Sequence, residues 1–187
     1  MSETMTDVLM GTGAFGAGLV LWTMLEYGIH RFGGHARWMS KLVRKEHMQH
    51  HATPDYFTSF ARKMLLAVPV LGTAFLVGAL LLGPLVGAAL ASGTASGWWL
   101  YHQVHAATHL RGPMNRYGVW ARRHHLHHHF QNAKMNHGVT SPLWDWVFGT
   151  LEQPQTIKVP RRQVHCFAWL LEGDEVREEY AGTYRVV

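Results

Sequence analysis

Between Lys63 and Arg111 the sequence carries no Asp, Glu, Lys or Arg, a gap of 47 residues. A bilayer-spanning helix needs about 20 mainly apolar residues, so the gap holds two of them. Gly83-Pro84 sits where the chain must turn between residues 64–82 and 85–99. A third apolar run, residues 8–25, is free of charge for 18 residues and rich in glycine (Gly11, Gly13, Gly16, Gly18), which suits close helix packing in lipid. Glu3 and Asp7 precede it, no Lys or Arg does, and no small-residue cleavage pattern follows. It therefore reads as a retained span and not as a signal peptide.

The remaining charges set an orientation. Arg31, Arg37, Lys41, Arg44, Lys45, Arg62 and Lys63 lie between the first two runs, against Glu46 and Asp55. Arg111, Arg116, Arg122, Arg123 and Lys134 follow the third. The positive-inside rule puts both stretches in the cytoplasm. The net charge of +5 then reads as orientation and contact with anionic lipid, with no nucleic-acid partner. The single cysteine, Cys166, excludes an internal disulfide, a Cys-ligated iron–sulfur cluster and a CxxC redox pair, and is expected as an inert, buried thiol. The domain expectation is one membrane domain over residues 1–187, with a motif-bearing core at 26–150. Residues 151–187, with Glu172, Asp174, Glu175, Glu178 and Glu179, read as a polar surface tail.

Fifteen histidines fall largely into four groups: His30 and His35 in EYGIHRFGGH; His47, His50 and His51 in HMQHH; His105 and His109 in HAATH; and His125, His128 and His129 in HLHHH. Residues at i, i+3 and i+4 share a helix face, so each HxxHH presents three imidazoles together, and HxxxH presents two. His30 and His35 would diverge on a continuous helix, and Gly33-Gly34 is expected to break it and return His35 to the site. His30 follows the cytoplasmic end of the amino-terminal run (8–25), and His105 and His109 end the last run, which returns to the same side, so all four groups can meet at one membrane face. Ten imidazoles gathered there would repel one another if protonated and would be costly to bury unpaired. Metal removes both problems, since each ligand is a neutral lone-pair donor, and ten donors suit two ions with about five nitrogens each. His102, one turn before His105, is a possible further ligand. His124, His127, His137 and His165 fit no repeated spacing and are expected as structural or supporting residues.

Those four groups, followed in order by NHGVTSPLWDWVFGT, resemble the fatty acid hydroxylase / sterol desaturase superfamily over residues 26–150, closest in look to its fatty acid 2-hydroxylase branch. The resemblance implies an all-α integral membrane fold: about three transmembrane helices and a cytosolic helical cap carrying a histidine-rich dimetal site. It further implies a non-haem di-iron oxidoreductase of lipid metabolism. Two iron ions (zinc can occupy the site in preparations) and dioxygen would oxidise a lipid or fatty acyl chain at the cytoplasmic face of a membrane, as of a bacterial inner membrane. Asn136, Gly138 and Asp145 belong to the closing motif. They read either as supports for the fourth histidine group or as a fold-closing turn beside a packed Trp144, Trp146 and Phe148 cluster. An unactivated C–H bond calls for a redox metal with open positions, which zinc cannot supply as the working ion. Relatives often carry a fused cytochrome b5 domain, a further histidine where this chain has Leu110, and two amino-terminal spans where this chain has one. With no electron carrier of its own, the chain is expected to draw electrons from a separate ferredoxin or cytochrome with its reductase. A desaturase on the same scaffold is the alternative within this chemistry. A histidine-rich metal-binding or transport protein is the alternative outside it, although a transporter would place ligands near mid-span.

Overall fold

In the computed structural model of the chain the described residues are 2–36, 38, 40–112 and 115–187; Arg37 of the basic stretch lies outside them. Most of the chain is helical. The helices are α1 (Glu3–Gly28), α2 (Lys41–Ala52), α3 (Phe60–Leu82), α4 (Pro84–Leu110), α5 (Arg116–Phe130), α6 (Leu143–Val147) and α7 (Glu178–Ala181). Four short strands occupy the last part of the chain: β1 (Ile157–Val159), β2 (Leu171–Glu172), β3 (Glu175–Val176) and β4 (Tyr184–Val186). The residues divide into two compact units, Met1–Leu25 with Thr58–Leu100, and Glu26–Phe57 with Tyr101–Val187.

The first unit contains the apolar runs. Two helical stretches among the described residues, Glu3–His35 and Phe60–Leu82, are long and apolar enough to cross a membrane. Their side chains are turned outward rather than into a core, Leu80, Leu81 and Leu65 among them. That distribution suits lipid and not water, where a contiguous apolar surface of this size is rare. The segment 85–99 is diluted by Ser92, Thr94, Ser96 and three glycines and does not reach that apolarity, so a third span rests on helix length and pattern alone. The expected turn is present: α3 stops at Gly83, whose φ of 97° favours glycine, and Pro84 opens α4.

Small residues set the packing inside this unit. A Cβ on Gly93 would lie 2.0 Å from the Phe15 carbonyl oxygen, so α1 and α4 meet backbone to backbone. Gly78 and Gly87 do the same for α3 and α4, where a Cβ on Gly78 would lie 2.7 Å from the Gly87 Cα.

The second unit departs from the sequence reading in two places. Residues 29–35 do not break the helix; they widen it into a π-helical turn, Ile29–His35. Hydrogen bonding from i to i+5 brings residues five apart onto one side, which is what His30 and His35 need. Residues 151–187 are not a surface tail. β1 pairs parallel with β4, β2 pairs antiparallel with β3, and Ile157, Val159, Phe167, Trp169, Leu170 and Tyr184 bury around Leu126 of α5. The acidic residues that suggested a tail occupy only the β2–α7 edge, while the apolar residues on either side of them turn inward from strands and turns too short to stand out in sequence. In the Trp144, Trp146 and Phe148 cluster, Phe148 stacks on Trp144 at 6.2 Å and on Tyr27 at 5.4 Å, while Trp146 is exposed.

If glycine at position 93 is what permits the α1–α4 approach, Gly93→Leu should destabilise the protein by about 1–3 kcal/mol through overpacking. Gly72→Ala, which meets nothing within 4 Å, should not. Thermal unfolding of both variants in detergent measures the difference.

Candidate metal centre

The ten histidines of the four repeated motifs come together in the second unit as two groups of five. One holds His30, His35, His47, His51 and His128; the other holds His50, His105, His109, His125 and His129. Within each group the candidate ligand atoms all lie within 4.8 Å of one another. His102 belongs to neither group, and His165 stands apart in the 3₁₀ turn Arg161–Cys166.

Helix geometry explains how the motifs divide. At about 100° per residue, positions i and i+4 differ by about 40°, whereas i+3 and i+4 differ by about 100°. His47 and His51 therefore stay in one group and His50 points to the other, while His125 and His129 stay together and His128 crosses over. His105 and His109, also i and i+4, remain in one group. The two HxxHH motifs are thus interleaved in opposite senses, and each centre takes a pair from one and a single residue from the other. The π turn supplies the remaining pair to the first group, with His30 and His35 ring centroids 5.6 Å apart. Gly34 is required here, since a Cβ would meet the His47 ring at 2.6 Å.

The nitrogen separations fit a metal. In the first group the Nε2 atoms of His35 and His128 are 2.9 Å apart, His47 and His35 2.8 Å, and His51 and His47 3.0 Å. In the second, His105 and His50 are 3.0 Å apart, His125 and His109 2.9 Å, and His129 and His125 3.1 Å. Two nitrogens each about 2.1 Å from an ion stand about 3.0 Å apart at a right angle and about 3.4 Å apart at a tetrahedral angle. The closest separations suit neighbouring ligands on a shared ion.

Protonation points the same way. The Nδ1–H of His128 donates to the Met135 carbonyl at 2.7 Å, that of His50 to the Tyr56 carbonyl at 2.8 Å, and that of His30 to the His137 carbonyl. Each of these rings then turns a bare Nε2 lone pair inward, and the buried His30 Nε2 has no protein partner. Burial lowers the pKa of His50 to about 4, and burial together with neighbouring imidazoles lowers that of His51 to about 3. His47, His125, His128 and His129 are pushed well below the usual histidine range, by burial first and by the surrounding imidazoles next. Neutral rings with converging lone pairs are the state a cation binds.

A loop from Met135 to Gly138 orients the first group, since its carbonyls at 135 and 137 receive His128 and His30. Asn136 sits between them with a φ of 57°, and its side chain exchanges two hydrogen bonds with the Glu152 backbone, at 2.9 and 2.7 Å. Asp145 is fully buried and accepts from the backbone N–H of His137 and Gly138 and from the Thr150 hydroxyl, each at 2.8 Å, and from the His124 ring at 3.2 Å. Burial pushes its carboxyl up, but those four donors outweigh burial and hold its pKa below the usual range. Gly138 has no room for a side chain, since a Cβ would lie 2.1 Å from the Ser141 carbonyl oxygen. Glu26 ties the same loop to the end of α1 by accepting from Val139 and Thr140. Sequence reasoning gave no role to Glu26, which opens EYGIHRFGGH, or to the carbonyls of residues 135 and 137, which have no side-chain signature.

The surrounding charge is smaller than the sequence implied. Arg122 is buried, with its guanidinium 3.6 Å from the centroid of the Trp169 ring, and Arg123 donates to the Pro154 and Gln155 carbonyls. Lys41 and Lys45 on α2 remain exposed, and Arg44 is half-buried.

Two groups of five imidazoles, on helices interleaved in this way, form a histidine-rich site of a kind that could hold metal ions. The model of the fatty acid hydroxylase family matches residues 15–150. The fatty acid 2-hydroxylase of Homo sapiens is 32% identical over 149 residues, covering 76% of this chain and 40% of the relative. The dihydroceramide fatty acyl 2-hydroxylase FAH2 of Arabidopsis thaliana is 32% identical over 144 residues, covering 72% of this chain and 58% of that protein. A solved structure of full-length scs7p, with only the hydroxylase domain visible, aligns with a TM-score of 0.66 at 28% identity, covering 78% of this chain and 58% of that one. The chain belongs to the fatty acid hydroxylase family. It spans about 40% of the length of the mammalian relatives that it matches.

Single replacement of His47, His51 or His128 by Ala should cost retention of one ion, and replacement of His125 or His129 that of the other. Metal analysis of gently purified protein should give close to two ions per chain in the wild type and in the exposed-site control His165→Ala. Well under one ion in the wild type would contradict this assignment.

Proposed function

We propose that the protein is a membrane-bound di-iron hydroxylase of fatty acyl chains in lipids. The observation that carries this reading is the pair of five-histidine groups within a chain of the fatty acid hydroxylase family. The balance is one C–H bond, one O₂, two electrons and two protons giving one C–OH and one water. Bound iron, held by the ten histidines, would supply the redox chemistry that such a bond requires.

The chain's own part is positional. His30, His50 and His128 keep their Nε2 lone pairs inward through carbonyl anchors at residues 137, 56 and 135. The low proton affinity of the buried rings keeps donors available at neutral pH. The relatives are a fatty acid 2-hydroxylase and, in the plant, a dihydroceramide fatty acyl 2-hydroxylase, and we carry the acyl chain over as the substrate class here. The apolar helices would hold the chain in the bilayer, with the histidine centres at the cytoplasmic face, where an acyl chain enters from the side.

Electrons would come from a separate acidic ferredoxin or cytochrome docking near Lys41, Arg44 and Lys45. Purified protein given lipid and oxygen alone should stop after at most one turnover per chain, and a reducing system should sustain product formation. That sustained rate should fall as salt shortens the Debye length from about 10 Å at 0.1 M toward about 3 Å at 1 M. Product counting by mass spectrometry across a salt series is the test. Sustained turnover without reductant would refute an oxygenase.

A further inference from the structure

The first histidine group has its supporting loop within the residues that match the family model, whereas the second has little of that kind. The Nδ1 atoms of His109, His125 and His129 find no hydrogen-bond partner. Those rings are oriented by the backbone that carries them. The backbone, in turn, is held by Arg122 of α5 and by the carboxy-terminal segment, which lies beyond the family match ending at residue 150.

We infer that Arg122, Gln163 and Trp169 form a clamp that fixes the carboxy-terminal ends of α2 and α4 and so positions the second metal group; the inference rests on the histidines being metal ligands. The last four carbonyls of a helix have no partner within it. On α4, Arg122 donates through Nη2 to the Ala107 carbonyl at 2.9 Å and through Nε to Thr108 at 3.0 Å. The Trp169 indole N–H donates to the carbonyl of His109 itself at 2.8 Å. On α2, the Gln163 amide donates to the His51 carbonyl at 2.8 Å and to Ala52 at 3.0 Å. The pieces lock one another. Arg122 lies on the Trp169 ring, Phe167 stacks on the His109 ring at 5.9 Å, and both aromatic residues belong to the buried cluster of the carboxy-terminal segment.

The chemistry of the parts suits this role. A guanidinium at a helix carboxy terminus meets the negative end of the helix dipole and caps two carbonyls with one rigid fork. Burial lowers the Arg122 pKa to about 10, which leaves it charged at neutral pH. Arg122 also sits one turn before His125 on α5, so one side chain joins two of the helices that feed the second group. The helix carbonyls that Arg122 and Trp169 cap lie on α4, which feeds the second group alone, whereas Gln163 caps α2, which feeds both groups. The three residues are therefore expected to differ in which ion they affect.

The test uses the full chain in detergent, loaded with iron or with cobalt(II) as a spectroscopic probe, and follows release of each ion to a chelator. Wild type should hold about two ions. Trp169→Phe keeps a ring but removes the N–H, and should speed release of one ion by about tenfold or more while leaving the other unchanged. The cobalt spectrum of that site alone should shift. Arg122→Lys, which keeps the charge but loses the fork, should affect the same ion and serves if Trp169→Phe does not fold. Gln163→Leu should speed release of both ions. Unchanged release in these variants, or equal acceleration of both ions in Trp169→Phe and Arg122→Lys, would overturn the clamp, the latter showing only a general loosening. A wild type without bound metal would remove the ligand assignment beneath it.

Discussion

Ten buried or half-buried imidazoles, six pairs of them with Nε2 atoms 2.8–3.1 Å apart, form an arrangement that a bound cation would satisfy. The inward lone pairs of His30, His50 and His128 have been stripped of any alternative by committing each Nδ1–H to a backbone carbonyl. Much of the second unit serves that constraint. Asp145 and Asn136 hold the loop that offers two of those carbonyls, Glu26 joins the loop to the first helix, and the carboxy-terminal strands bury the helix ends that carry the rest. Buried polar groups are costly when half satisfied, so the supporting hydrogen bonds suit a site that a metal would complete.

The division into two centres follows from the helix repeat itself. A motif of the form HxxHH cannot aim all three rings at one ion, because its i+3 and i+4 members diverge by about 100°. Two such motifs facing each other can share two ions, each motif giving a pair to one and a single ring to the other. HxxxH completes one centre on an ordinary helix. HxxxxH completes the other only by widening the helix at Ile29–His35, where Gly33 and Gly34 let the turn approach α2.

Much of this was legible in the sequence. The repeated spacings name the ten residues, the count implies two centres, and the charge-free runs anticipate the apolar helices and the Gly83-Pro84 turn. Which rings share a centre was also available, from the same angular argument carried one step further. Other parts were not. A π turn differs from a break by one hydrogen-bond register that Gly33-Gly34 does not determine. Carbonyl anchors at 135 and 137 leave no trace in side-chain identity. Arg122 reads as surface charge until Trp169, 47 residues later, is seen to cover it, and the strands around it are two or three residues long.

X-ray absorption at the iron edge of the loaded protein tests the central claim most directly. Two all-imidazole centres predict an average first shell of about five nitrogens near 2.1 Å, with the outer-shell scattering of imidazole rings and no sulfur. A shell dominated by carboxylate oxygen, a sulfur ligand, or fewer than three imidazoles per iron would contradict it.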